Sequence, residues 1–183
     1  HHLAVRLAGR PRTLARMVDE VNAACERIGP VESDRVDGAQ HDSLWCKMAD
    51  FGWDDATRPA ASLRISLPPM TAGEVLASLE SAATTRGLMP AIVEHLAAGT
   101  VLLNLFSPGE GIDDDSLAQV VTDTRKLARQ RCGTATLEQA PPDAKRRIEV
   151  WDGGGEAMAI MRRLKTQYDP GNVLNPGRYI DGI

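Results

Sequence analysis

Histidines and paired carboxylates are the side chains most often used for metal binding and proton transfer, and this sequence contains few of them. Apart from the two histidines that open the chain, the only ones are His41 and His95. Several imidazoles therefore cannot converge on one metal ion. The acidic clusters at Asp54 and Asp55 and at positions 113–115 stand beside turns or a helix start, where helix capping explains them. The sequence predicts neither a multi-histidine site nor a pair of catalytic carboxylates.

Common catalytic and nucleotide-binding motifs are also missing. The sequence contains no GxSxG, no GxxxxGK followed by Ser or Thr, and no HExxH, so the corresponding hydrolase, phosphate-loop and metalloprotease sites are excluded. The three glycines at 153–155 follow the wrong residues for a GxGxxG fingerprint. We interpret them as a turn.

The three cysteines, Cys25, Cys46 and Cys132, are odd in number and far apart, and no two of them form a CxxC pair. This spacing indicates neither a zinc site nor thiol exchange. We interpret them as reduced packing residues and expect a cytoplasmic protein.

Composition and charge narrow the class of protein. The 183 residues are 43% hydrophobic and 25% charged, the balance of one soluble globular domain. The net charge is −4 and the basic residues form no stripe, so nucleic acid is not an expected partner. No apolar run reaches the roughly 18 residues that a bilayer span needs.

The start of the chain does not look like the start of a gene product. It lacks an initiating Met, and His1 and His2 resemble the remnant of a purification tag. We therefore expect the domain to comprise residues 3–183 and to be preceded by a further domain that is absent from this chain.

Hydrophobic periodicity predicts strands that alternate with helices. Alternating apolar residues predict strands at 3–7, 31–36, 61–67, 90–95, 100–106, 134–137 and 148–151. Helical spacing predicts helices at 11–28, 41–51, 71–87, 113–133 and 156–168, the last of which buries Met158, Met161, Leu164 and Tyr168. Thr71 and Glu74 have the spacing of a capping box, and Asp113 begins an acidic helix start.

The connections between these elements favour an antiparallel sheet. The strands at 90–95 and 100–106 are joined at 97–99, which predicts a hairpin. A hairpin and short connections do not suit a parallel sheet with long crossovers. With no internal repeat or long linker, the sequence predicts one α+β domain whose helices pack mainly on one face of an antiparallel sheet.

The C-terminal segment is the most distinctive part of the sequence. From Leu164 to Arg178 it reads LKTQYDPGNVLNPGR; the helix should stop at Asp169, and two prolines and two glycines fix the path that follows. This ending closely resembles the pattern lK..lDP.gilNPGR of the C-terminal domain of FAD-linked oxidases. Supporting marks occur in the family's order, so the resemblance covers almost the whole chain: Leu44-Trp45, Ser66-Leu67-Pro68, His95 and Glu138.

The resemblance implies a ferredoxin-like α+β substrate domain that caps a separate FAD-binding domain. The family includes D-lactate dehydrogenase, D-2-hydroxyglutarate dehydrogenase and the glycolate oxidase flavin subunits. FAD is the implied cofactor of the full-length protein and is not expected in this fragment. Because the family's tail runs back towards the FAD domain, the resemblance implies Asn175 and Arg178 as cofactor-binding residues.

The chain departs from the family at its catalytic motif. Catalytic members carry HxGDGNLHxN, whose two histidines and a later glutamate hold a divalent metal near the substrate. The corresponding stretch here reads HLAAGTVLLN, so His95 and Asn104 match while Leu102 replaces the second histidine. Glu138 matches the glutamate, but Gln139 replaces its histidine neighbour. The resemblance thus implies His95, Asn104 and Glu138 as catalytic candidates, and we expect no metal because two ligands rarely close a site.

The chain also has fewer of the family's anion-binding side chains. Its substrate-binding arginine would fall near Met48, beside Lys47, and its lysine would fall near Ser62. Arg64 lies two residues beyond that serine. It is the substrate-binding candidate in this chain.

The altered pattern is most similar to that of the FAD-binding subunit of glycolate oxidase. The implied function is that of a cap domain in a complex that oxidises a small 2-hydroxy acid, with the flavin accepting hydride. The implied partners are the chain's own N-terminal FAD-binding domain, a catalytic flavin subunit and an iron–sulfur subunit. Through these partners a cytoplasmic protein could become membrane-associated. The isolated chain should be inactive.

Two other interpretations remain open from the sequence. The chain could be the substrate domain of a stand-alone, metal-independent FAD oxidase, or a pure subunit-interaction domain that never approaches a flavin. An FAD-binding domain encoded upstream in the same gene would exclude the interaction domain. Neighbouring genes for a second flavin subunit and an iron–sulfur subunit would favour the complex.

Overall fold

The computed structural model describes residues 2–29, 32–52, 58–109 and 112–183. The chain divides into two compact units, residues 1–49 and 50–183. The acidic pair Asp54 and Asp55 lies outside the described residues, as does Val31.

The first unit contains two helices, α1 (Pro11–Glu26) and α2 (Gly38–Ala49). Pro11 occupies the first helical position, where a missing N–H costs nothing and the fixed φ suits the helix. The Trp45 ring contacts a cation and a second ring in this unit: the guanidinium carbon of Arg6 lies 5.8 Å from its centroid, and the His41 ring meets it edge-on at 6.2 Å. Trp45 therefore joins the N-terminal segment to α2 through a cation–π contact.

The two strands predicted in the first unit are wrong. Residues 2–8 form no regular structure, and neither do the described residues 32–36 of the predicted strand at 31–36. A strand needs a neighbour that satisfies its backbone N–H and C=O groups, and no segment among the described residues pairs with either stretch. The helix predicted at 11–28 ends earlier than expected: Ile28, its last predicted residue, lies beyond α1 and is 92% exposed.

The second unit is built on a four-stranded antiparallel sheet of order β2-β3-β1-β4. Its elements are β1 (Ala61–Ser66), α3 (Ala72–Thr84), β2 (Met89–His95), β3 (Thr100–Phe106), α4 (Asp114–Gln130), β4 (Thr134–Gln139), α5 (Pro142–Arg147) and α6 (Met158–Tyr168). The order of the first six elements, β-α-β-β-α-β, together with this strand order gives the ferredoxin-like arrangement. The predicted α+β class, the hairpin and the antiparallel sheet are confirmed.

The two faces of the sheet differ in chemistry because side chains alternate along each strand. One face is apolar, with Leu63, Ile65, Leu103 and Leu105 all at most 1% exposed, and α3 and α4 pack on it. The predicted placement of helices on one face is thus confirmed. The intervening side chains form the opposite surface, which we call the second face: Ser62, Arg64, Ser66, Thr100, Leu102 and Asn104.

Gly99 shows why the hairpin turn requires glycine. Its φ is +62°, and a Cβ atom there would lie 1.9 Å from the carbonyl oxygen of Leu67. The same close approach lets the Leu67 N–H donate to the Gly99 carbonyl oxygen at 2.7 Å. The turn between β2 and β3 is thereby fastened to the end of β1.

Of the two predicted helix caps, the one at the start of α4 is confirmed and the one at the start of α3 is not. Asp113 caps α4, since its carboxylate accepts the Ser116 N–H at 2.8 Å, and this hydrogen bond lowers the pKa of Asp113. The capping box at α3 is wrong. Thr71 Oγ1 donates instead to the Pro68 carbonyl oxygen at 2.9 Å, while Glu74 forms an ion pair with Arg131.

The C-terminal quarter also corrects two predictions. The segment 148–151 is not a strand, although the Leu137 N–H donates to the Val150 carbonyl oxygen at 2.9 Å. In α6 the burial of Met158 is confirmed, whereas Leu164 is 50% exposed and Tyr168 is 76% exposed. None of the helices among the described residues is both long enough and apolar enough to cross a bilayer.

Candidate functional site

An ion pair between Arg64 and Glu138 lies on the second face. The register of β1 and β4 shifts here: Leu63 is opposite Leu137 and Ser62 is opposite Gln139, so Glu138 is the extra residue of a bulge. Bulges re-aim side chains and are frequent beside functional sites. This bulge places the Glu138 carboxylate next to the guanidinium of Arg64.

The contact between the two side chains is a fork. Arg64 Nε donates to Oε1 of Glu138, and Nη2 lies 3.5 Å from Oε2. The Arg64 side chain remains 47% exposed, whereas that of Glu138 is 24% exposed. Lys145 Nζ donates to the backbone carbonyl oxygen of Glu138 at 3.0 Å. The cluster thus contains two cations and one carboxylate.

Asn104 is the buried polar residue of the second face. It is 4% exposed, its Oδ1 accepts a hydrogen bond from Ser62 Oγ at 2.7 Å, and its Nδ2 has no partner among the described residues. Gly52, with φ +85°, packs on the amide so closely that a Cβ there would lie 3.0 Å from Oδ1. Ser62 therefore fixes the orientation of the amide and leaves Nδ2 as its unused donor.

His95 lies apart from Glu138. It ends β2 opposite Thr100 and is exposed, while Glu138 is on β4 at the other edge of the sheet. Two strands separate them, and strands are spaced about 4.8 Å apart, so their two strands alone are roughly 14 Å from each other. Along β4 the residue level with His95 is Thr134, four residues before Glu138, which adds to the separation. The sheet does not bring the two predicted catalytic residues into contact.

These positions do not fit the divalent metal that the family resemblance raised. Leu102 is directly opposite Arg64 on β3 and offers no ligand atom, while the Glu138 carboxylate is occupied by the guanidinium. Across the part of the chain that the structure describes, no three His, Cys, Asp or Glu side chains are grouped as metal ligands. A catalytic metal usually needs three protein ligands, and here one imidazole and one paired carboxylate remain.

The predicted cofactor-binding residues lie in a fixed tail. Asp169 is 6% exposed and its carboxylate accepts the N–H groups of Val173 at 2.9 Å and Leu174 at 3.0 Å. Beyond this loop, Asn175 adopts a left-handed conformation with φ +46°, and the Arg178 N–H donates to its carbonyl oxygen at 3.2 Å. The backbone of the tail is therefore well anchored by hydrogen bonds.

The side chains of Asn175 and Arg178 take no part in these anchoring hydrogen bonds. Both residues are exposed, and neither side chain forms a hydrogen bond or ion pair within the described residues. They provide amide and guanidinium donors of the kind that bind flavin or phosphate oxygens. Two grooves, one between α3 and α4 and one along α4, do not border the tail. The cofactor-binding role of the two side chains stays a prediction.

A buried charge cluster that the sequence did not predict supports this tail. Arg125 donates to the carbonyl oxygens of Ala135, Glu149 and Val150 at 3.2, 2.6 and 3.0 Å, and desolvation lowers its pKa. The Asp152 side chain, 2% exposed, lies 2.5 Å from Arg129 and accepts the Ala135 N–H at 2.9 Å. These residues are far apart in sequence and belong to no motif, so no sequence signal would have identified the cluster.

Trp151 links the cluster to the tail. Its Nε1 donates to the Arg178 carbonyl oxygen at 3.4 Å, and its ring meets that of Tyr179 edge-on with centroids 4.9 Å apart. Because Asp152 is the next residue, the cluster that holds Asp152 also holds Trp151 in place. The position of Arg178 therefore depends on α4 and β4.

Comparison with known proteins gives a family match and a similarity to a curated protein. Residues 2–179 match the family described as FAD linked oxidases, C-terminal domain. Over 150 residues the chain is 26% identical to a protein of Danio rerio named "Probable D-lactate dehydrogenase, mitochondrial", a match that covers 78% of this chain and 28% of that protein. The chain thus corresponds to less than a third of the relative's length.

Proposed function

The chain belongs to the family of C-terminal domains of FAD-linked oxidases, and on this premise we propose that it is the substrate-side cap domain of an FAD-dependent 2-hydroxy-acid oxidoreductase. The observation that carries the proposal is the family match over residues 2–179. The name of the Danio rerio relative, a D-lactate dehydrogenase, supports a 2-hydroxy acid as the substrate class.

Each candidate residue has a defined part in this proposal. When bound, FAD would accept the hydride that leaves the hydroxyl-bearing carbon of the substrate. Arg64 would bind the substrate carboxylate, because an exposed guanidinium on the second face has donors suited to a planar oxyanion. The buried Asn104 amide would hold the Ser62 hydroxyl in place through Oδ1, and His95 would act as a proton acceptor at the end of β2. Asn175 and Arg178 would contact the flavin.

We further propose that the full-length protein is the FAD-binding subunit of a glycolate oxidase complex. The support is the altered catalytic motif: Leu102 and Gln139 replace side chains that catalytic members of the family use. Its partners would be the chain's own N-terminal FAD-binding domain, a catalytic flavin subunit and an iron–sulfur subunit. A cytoplasmic location, with membrane association only through partners, stays a prediction.

One observation favours a second function, that of an interaction domain. The tail exposes two apolar side chains, Val173 at 77% and Leu174 at 62%, although the Asp169 carboxylate holds their backbone in place. Apolar side chains held rigidly in solvent are typical of docking surfaces. A domain that only joins subunits would use this tail without using Arg64.

Anaerobic mixing of the full-length, FAD-loaded protein with glycolate or D-lactate tests the proposal. Loss of the oxidised flavin absorbance is expected, either with the protein alone or after addition of the companion subunits. A flavin that stays oxidised in both cases, while the companion subunits still co-purify, would support the interaction domain instead. The 183-residue chain serves as the control and should be colourless, because one wall of a flavin site holds too few contacts to retain a dinucleotide.

A further inference from the structure

The donors of Arg64 that Glu138 does not use define a binding site on the second face. A guanidinium carries five N–H donors, and the fork to Glu138 uses Nε and one N–H of Nη2. The remaining N–H of Nη2 and one N–H of Nη1 form the end-on pair, which matches the spacing of a carboxylate. No described residue accepts from this pair.

The surroundings of Arg64 favour an anion at this place. Within the cluster, the charges of Arg64, Lys145 and Glu138 leave one net positive charge, and the guanidinium is 47% exposed. The residues that flank Arg64 across the strands are Leu102 and Thr136. Neither carries a negative charge that would repel an anion.

We propose that Arg64, held by Glu138, is the carboxylate-binding group of this face and takes the place of a divalent metal. This inference rests on the proposed function and adds a division of roles to it. Arg64 contacts the substrate carboxylate, whereas Glu138 is a positioning residue that acts through Arg64. Glu138 therefore binds no metal and transfers no proton.

If Glu138 is a positioning residue, its removal should weaken anion binding rather than tighten it. Removal of a negative charge beside an anion site would by itself tighten anion binding, because like charges repel. If Glu138 positions the guanidinium, its removal lets Arg64 sample other rotamers. Anion binding must then restrict Arg64 to one rotamer, and the entropy lost in doing so lowers the affinity. A loss of affinity in Glu138→Ala would therefore come from lost orientation.

Oxalate, an unreactive dicarboxylate, is the probe for the test. Its binding to the chain is followed by the shift of the Arg64 Nε–Hε resonance at low ionic strength, where exposed charges are least screened, and by calorimetry. We expect Arg64→Met to weaken binding at least about tenfold, as for one charged hydrogen-bond pair. Glu138→Ala should weaken it about threefold or more, and EDTA should have no effect.

Matched controls come from Arg146 and Asp143 on α5, an exposed ion pair with N and O 3.0 Å apart. Arg146→Met and Asp143→Ala should leave oxalate binding unchanged. Arg64→Lys keeps the charge but not the fork, so it should fold normally and still bind oxalate more weakly. The resonance that is missing from the spectrum of Arg64→Lys identifies that of Arg64. Arg64→Lys also serves in place of Arg64→Met if that variant does not fold.

Several outcomes would overturn the proposal: no oxalate-dependent shift in the wild type, unchanged binding in Arg64→Met and Arg64→Lys, tighter binding in Glu138→Ala, or loss of binding in EDTA. The proposed function fails separately. If 2-hydroxy acids reduce the flavin of the full-length protein with the same KM in wild type and Arg64→Lys, the function stands and Arg64 is not the carboxylate-binding group. If oxalate binds as expected but no 2-hydroxy acid reduces the flavin, the anion site stands and the oxidase function is wrong.

Discussion

Lys165 and Asp169 form an ion pair one helical turn apart at the end of α6, with Nζ 2.6 Å from Oδ2. The same ammonium donates to the carbonyl oxygen of Leu174 at 2.7 Å. Together with the two backbone N–H groups that Asp169 accepts, this pair folds the segment after α6 back onto the helix. The conformation of the tail therefore depends on whether one carboxyl group is ionised.

This dependence predicts how stability responds to acid. The Lys165 ammonium and the N–H groups of Val173 and Leu174 hold the pKa of Asp169 below its ordinary value of 3.8. Because the pKa is lower in the folded state than in the unfolded state, the carboxylate stabilises the fold fully above about pH 4 and loses this effect as the pH falls further. The thermal midpoint of the wild type should thus fall more steeply below about pH 4 than that of Asp169→Asn, which has no carboxylate to protonate there.

The control for this measurement is Asp143→Asn. Asp143 pairs with Arg146 on the surface of α5, and their side chains are 82% and 79% exposed. Exposed pairs contribute little to stability. The thermal midpoint of Asp143→Asn should therefore change with pH in parallel with that of the wild type. If the curve of Asp169→Asn is parallel as well, the ion pair of Lys165 and Asp169 does not stabilise the fold.

The buried cluster of Asp152 should be the most sensitive charged site of the second unit. Asp152→Ala removes the acceptor of Arg129 and of the Ala135 N–H and leaves the partly buried Arg125 without its nearest carboxylate, 3.8 Å away. We expect a loss of about 2–3 kcal/mol in the free energy of unfolding, in the range of a charged hydrogen bond. Urea denaturation measures this loss, and a change as small as that of Asp143→Ala, within about 0.5 kcal/mol, would contradict the assignment.

Two glycines provide a matched pair of backbone substitutions. Gly99→Ala would place a methyl group against the Leu67 carbonyl oxygen in a left-handed conformation, so we expect it to destabilise the fold by about 2 kcal/mol or more. Gly73 lies in α3, and nothing is within 4 Å of its would-be Cβ. Gly73→Ala should instead be neutral or stabilise by up to about 1 kcal/mol. Thermal denaturation compares the two, and equal midpoints would show that the hairpin turn can relax.

The parts of the fold that the sequence predicted correctly are those whose information is local. The hairpin of β2 and β3 has alternating strands around a glycine turn, and Asp113 caps the helix that follows it directly. The strand predicted at 3–7 has the same alternation, but a strand also needs a partner, and pairing is not encoded within the segment. Periodicity alone could not distinguish the two cases.

The candidate site shows the same limit. The sequence named Arg64 and Glu138 separately, through the order of family marks, but their ion pair depends on the bulge at Glu138 between β1 and β4. Likewise Glu74 has capping-box spacing, yet its partner is Arg131, 57 residues away. Long-range ion pairs compete with local capping, and only the packed fold decides which contact forms.

The last prediction concerns Arg178, whose carbonyl oxygen is bound by Trp151 while its guanidinium has no partner among the described residues. Because an exposed, unpaired side chain contributes little, Arg178→Ala should change the stability of the 183-residue chain by less than about 0.5 kcal/mol. In the full-length protein the same substitution should weaken FAD retention or domain docking by about 1.5–3 kcal/mol, the range of a charged hydrogen bond.

Comparison of the 183-residue chain with the full-length protein separates cofactor binding from packing. Thermal denaturation of the chain and flavin release from the full-length protein are the two measurements, with Arg163→Ala, a change at an exposed arginine of α6, as the control in both. Trp151→Phe adds a second perturbation, since it removes the N–H that holds the Arg178 backbone but keeps a ring beside Tyr179. If FAD retention falls in both Arg178→Ala and Trp151→Phe, the tail acts through its position. Equal, small effects of Arg178→Ala on both measurements would show that the tail only packs and that the cofactor role implied for Arg178 is wrong.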